Sequence, residues 1–114
     1  MKGLVSITLV VFTLLLAANL SWAEDTGPRN VIDFGCHTGN SICYVSIDGA
    51  PVGGEFGCSS NSVRWNADDA PSGKRLFAMV TAAFVSGNRV QFQISGCLPE
   101  QATFPTFTYA SVTK

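Results

Sequence analysis

A chain of 114 residues with 46% hydrophobic and 13% charged residues, seven basic against eight acidic, has the composition of one small globular domain. Its cationic residues are scattered, with no basic stripe to neutralise phosphates, which excludes nucleic acid as a partner. Four cysteines and one histidine are too few, and wrongly spaced, for a paired-ligand zinc site or a C-x-x-C-H haem attachment.

The first 23 residues, "MKGLVSITLVVFTLLLAANLSWA", read as a secretory signal peptide. Lys2 is its charged start, Leu4 to Ala18 its apolar run, and Ser21 with Ala23 its small-x-small cleavage site. The expected mature domain is Glu24–Lys114, secreted or periplasmic, with no stable membrane anchor after cleavage. Without Lys2 it keeps six of the seven basic residues against eight acidic ones, a net charge of −2.

Residues 24–30 form a polar lead-in. "NVIDFGCHTGNSICYVSIDG" predicts two strands around a turn at Thr38–Ser41, because Gly39 and Asn40 tolerate positive φ. Ile32 and Phe34 alternate with Asp33; Cys43, Val45 and Ile47 alternate with Tyr44 and Ser46. A second turn follows in "DGAPVGGEFG", and a third strand is expected within Glu55–Trp65. "APSGKRLFAMVTAAFVSG" predicts a helix, with Pro71 in its first turn, Gly87 just past its end, and Leu76, Phe77, Val80, Ala83 and Phe84 on the core side. Arg89–Ile94 alternates as a fourth strand. A loop, Ser95–Pro105, leads to a fifth over Thr106–Val112, which places Phe107 and Tyr109 on one face.

All four cysteines lie beyond the leader, and an even count in a small exported chain reads as two disulfides. Cys36 and Cys43 face each other across a four-residue loop, at a non-hydrogen-bonded pair that a bridge can span. That pairing leaves Cys58–Cys97. The rival pairing is Cys43–Cys58 with Cys36–Cys97. Asn66, Asp68 and Asp69 lack the twelve-residue calcium-loop pattern and read as the approach to the helix. Trp65 reads as a lid on the core. No catalytic residue, metal or cofactor is indicated: His37 is alone on a turn, without a nucleophile or base pattern around it.

The element order, three strands, a helix and two strands, is that of a mainly β, five-stranded OB-like Greek-key barrel with its helix between strands three and four, stabilised by disulfides. Such barrels bind ligands across strands two and three, bordered here by the loops His37–Ser41 and Ser95–Pro105. Tyr44 and Ser46 would point outward there, and His37 and Asn40 would add polar contacts at the rim.

The stretches "CYVSIDG", Cys58, "SVRW", a helix ending in "SGNRVQFQI", and "TFPTF", with "HTG" before the second strand, resemble the B subunits of bacterial AB-type toxins, the subtilase cytotoxin and pertussis-like group. They also resemble related small exported bacterial proteins of unknown role. The resemblance spans about Phe34 to Val112. It implies an OB fold, a homo-oligomer that is a ring of five, and recognition of a glycan. The toxins' late tyrosine in the sugar site falls on Ile94 here. The expected function is a non-enzymatic binding module for a glycan or partner protein surface. The alternative is a small monomeric envelope or periplasmic protein, structural or inhibitory, without a sugar site.

Overall fold

The computed structural model describes residues 24–69 and 71–114. The expected signal segment, residues 1–23, lies outside the described residues. The described residues are mainly β with one helix: β1 (Glu24–Asp25), β2 (Arg29–Cys36), β3 (Ile42–Ile47), a 3-10 turn at Gly54–Phe56, β4 (Ser62–Asn66), α1 (Ser72–Ser86), β5 (Arg89–Leu98) and β6 (Gln101–Thr113).

All strand pairs are antiparallel. The sheet runs β1-β5-β2-β3-β4, with β6 also paired to β5. It is not closed into a barrel. β4 and β6 meet through side chains, Arg64 Nη1 donating to Gln101 Oε1 at 2.6 Å and Trp65 lying 5.9 Å from Phe107, but they share no ladder. Helix placement differs from the expectation as well. The polar lead-in contributes β1, so α1 falls between the fourth and fifth strands rather than the third and fourth. Side-chain chemistry rather than periodicity holds β1 in place. Thr26 is buried, donates from its backbone N–H to Phe92 O at 3.0 Å, and accepts the Phe92 N–H on its hydroxyl at 3.0 Å; Gln91 Nε2 donates to Asp25.

The β2–β3 hairpin forms as read. His37 N donates to Ile42 O at 2.9 Å, so Cys36 and Cys43 form the next, non-hydrogen-bonded pair and are joined with their Cα atoms 4.0 Å apart. Cys58 is joined to Cys97, bringing the β4 approach to the end of β5. Val45, Ile47, Val63 and Trp65 turn inward and pack with Val90, Phe92 and Ile94. The Trp65 indole N–H is satisfied by Gly73 O at 2.8 Å, at the start of the helix.

α1 ends where the glycine signal put it, with Gly87 at φ 71° donating to Ala83 O and Phe84 O. Val80 and Ala83 are buried, and Leu76 packs partly against the core. Phe77 and Phe84, expected on the core side, are not buried in it. They clasp Phe34 of β2, at centroid distances of 5.5 and 5.4 Å, and remain 37% and 49% exposed. Two other expectations fail in β6. Ser95–Pro105 is not a loop, because β5 and β6 continue through bulges to a tight turn at Pro99–Glu100. Phe107 and Tyr109 do not share a face. Gln93 pairs with Tyr109 and Ile94 with Phe107, so Thr108 is an extra residue that reverses the alternation. Phe107 packs 4.7 Å from Phe92, while Tyr109 is exposed.

Candidate functional site

The outer face of the β2–β3–β4 ribbon carries the most concentrated chemistry. Two cross-strand rows lie next to each other there: Asp33–Ser46–Ser62 and Gly35–Tyr44–Arg64. Period-two alternation explains both. Val45, Val63 and Trp65 go to the core, which leaves Tyr44, Ser46, Ser62 and Arg64 on the other side.

Gly35 leaves room opposite Tyr44, and the ring occupies it. A Cβ at position 35 would stand 3.2 Å from a ring carbon of Tyr44. The phenol O–H donates to Asp33 Oδ2 at 3.2 Å. This hydrogen bond, followed by the Asp33 negative charge, raises the Tyr44 pKa, so the phenol stays a neutral donor.

Arg64 is held from several sides. Its guanidinium carbon lies 3.4 Å from the Phe104 ring centroid and 5.7 Å from that of Tyr44. Nε donates to Ser62 Oγ at 3.1 Å and Nη1 to Gln101 Oε1 at 2.6 Å. These hydrogen-bond partners are all neutral. Partial burial lowers its pKa, but a guanidinium remains charged across the physiological range. The site therefore presents a fixed cation between two aromatic rings, beside a phenol, a carboxylate and hydroxyls. It can stack against a C–H-rich or planar surface and bond an anionic or acceptor group.

The expected site residues divide. Tyr44 and Ser46 lie in this patch, half-buried and facing outward. Asn40 is exposed at the hairpin tip, where its side-chain oxygen accepts the Ile42 N–H at 3.0 Å and so serves the turn. His37 is exposed beside the disulfide. The tip is tied down elsewhere: Ser41 bonds the Asp68 carboxylate, and Ala67 N donates to Ser41 O at 2.8 Å. Arg64, Asp33, Phe104 and Gln101 were not anticipated. Arg64 was legible, standing between inward Val63 and Trp65 in "SVRWN"; Phe104 was not, within a stretch read as loop.

Apart from this face, a concavity of about 250 Å³ opens where β4, the start of α1 and the β5–β6 turn meet, with Trp65, Leu76, Leu98 and Phe107 among its walls and Asn66 and Asp69 at its edge. Among the described residues no three His, Cys, Asp or Glu side chains converge as a metal site, and no helix is long and apolar enough to cross a membrane. No protein-family model, curated protein or solved structure matches the chain.

Proposed function

We propose that this chain is an exported, non-enzymatic recognition module, an incompletely closed relative of the OB barrel in the manner of toxin B subunits. Its outer sheet face binds a glycan or a partner protein surface. Two disulfides in so small a chain support export. The approach of β4 to β6 through Arg64 and Gln101, where closure of such a barrel would run, supports the OB relationship.

The observation that carries the reading is Arg64, stacked on Phe104 and faced by Tyr44, with only neutral hydrogen-bond partners. A surface arginine with no carboxylate among its hydrogen-bond partners, immobilised between aromatic rings, is preorganised for a ligand's anion or acceptor and loses little conformational freedom on binding. Tyr44 adds a flat apolar face and a polar tip.

The test is an array of neutral and acidic oligosaccharides and of immobilised proteins, probed with the folded protein, followed by titration of the best hit. Tyr44→Ala is expected to weaken that binding by more than about tenfold, about 1.4 kcal/mol, while leaving the fold intact. The reading fails if the array is blank, or if Tyr44→Ala and Arg64→Gln bind as the parent does.

A further inference from the structure

The outward side of α1 has an unusual composition. Between Arg75 and Arg89 the chain has no charged residue, yet much of this stretch is open to solvent. Phe77 is 37% exposed, Phe84 49% and Val85 80%, and Ala78 and Ala82 are exposed as well. At 100° per residue, Lys74, Phe77, Ala78, Thr81, Phe84 and Val85 fall within one arc of about 120°. The hydroxyl on that arc makes no demand on solvent, since Thr81 Oγ1 donates to Phe77 O at 2.7 Å. Packing of both phenylalanines on Phe34 keeps their rings in place. A helix that is apolar on both sides is expected to be covered on both sides.

The charges indicate what covers it. Lys74 and Arg75 are exposed in the first turn, which holds no acidic residue; Asp68 and Asp69 precede it, Asp68 being bonded by Ser41. An external anion would complement the two cations. A second copy supplies none along the helix face itself. Pairing α1 with α1, parallel or antiparallel, brings together two faces without a carboxylate between Arg75 and Arg89. An anionic bilayer supplies both requirements, an apolar layer for the rings and phosphates for the two cations.

We propose that α1 docks reversibly on anionic lipid, with Phe77, Phe84 and Val85 entering the headgroup boundary and Lys74 and Arg75 pairing with lipid phosphates. This surface is separate from the Tyr44–Arg64 face and does not depend on it.

Flotation of the chain from Glu24, which carries the whole described fold, tests this with vesicles of phosphatidylglycerol plus phosphatidylcholine and with phosphatidylcholine alone. Binding is expected to the first and not the second, and to weaken as salt is added. Val85→Asp is expected to lower partitioning at least about tenfold. Lys74→Glu, which leaves the apolar face intact, should lower it about fivefold or more. Tyr44→Ala should leave it unchanged. The proposal is overturned if phosphatidylglycerol vesicles capture nothing, or if capture survives both α1 substitutions. It is equally overturned if light scattering finds an oligomer that Val85→Asp converts to monomer, because the face is then an interface between copies.

Discussion

Gly73→Ala should destabilise this protein even though it replaces glycine by the best helix former inside a helix. Propensity alone favours alanine by about 1 kcal/mol. A Cβ at position 73, however, would overlap Ala67 O and stand 2.7 Å from its carbonyl carbon and 3.0 Å from its Cα. These are backbone atoms, which cannot rotate away. Restoring an ordinary contact requires the first turn of α1 to withdraw by about 1 Å from the β4–α1 connection, an overpacking strain of roughly 1–3 kcal/mol. The same withdrawal stretches the 2.8 Å bond from the Trp65 indole to Gly73 O beyond hydrogen-bonding range. Trp65 is only 5% exposed, so its N–H would have no water to turn to, which costs about 1–3 kcal/mol more. Net of propensity, a loss of about 1–5 kcal/mol is expected, each kcal/mol lowering Tm by roughly 4–8 °C for a domain of this size. Thermal and urea unfolding followed by circular dichroism measure it. In a Trp65→Phe background the hydrogen-bond part should vanish and the penalty shrink. A Gly73→Ala protein as stable as the parent, or more so, would refute the reasoning.

Cys97→Ser opens a bridge between residues 39 apart, worth about 4 kcal/mol on chain entropy, whereas Cys36→Ser opens one spanning only 7, worth about 2.5 kcal/mol. Denaturation midpoints under oxidising conditions should rank Cys97→Ser well below Cys36→Ser, and equal losses would contradict the assignment. Tyr44 should ionise above the ordinary phenol range, and Asp33→Asn should bring it back down, read by phenolate absorbance. Because the folded pKa is the raised one, the stabilisation from this hydrogen bond is present in full below about pH 10 and is lost as pH rises through the folded value. Parent and Asp33→Asn proteins should therefore converge in stability under strong alkali, and parallel stability curves would show that the bond contributes nothing.

Much of the architecture could be read from local chemistry. The Gly39-Asn40 turn fixed the hairpin register, and the register decided which cysteines meet. Gly87 marked the end of the helix. What escaped is what local pattern does not encode. Glu24–Asp25 is too short and polar to carry a period, and its place comes from partners at Gln91–Ile94. Gly96, Pro99 and Pro105 punctuate residues 95–105 like a loop, but bulges absorb them into a continuous hairpin. The extra residue at Thr108 inverted a sound alternation argument for Phe107 and Tyr109. In the candidate site the outward direction of Tyr44 followed from its neighbours. The stacking of Phe104 on Arg64 did not, because it depends on how β6 comes to lie against β4.

The pairing of β1 with β5 also sets an order of events. Glu24 and Asp25 pair along the ladder with Ile94 and Gln93, and Thr26 bonds Phe92. Each of these partners lies on the far side of the hairpin, the 3-10 turn and the helix. The β2–β3 ribbon closes over a four-residue turn and can form early, whereas these contacts require the entropy of a loop spanning most of the domain to be overcome first. In a refolding experiment the amides of Thr26 and Phe92 should thus gain exchange protection late, after that of His37, which donates across the hairpin to Ile42 O. The segment nearest the amino terminus of the fold is the last to be secured.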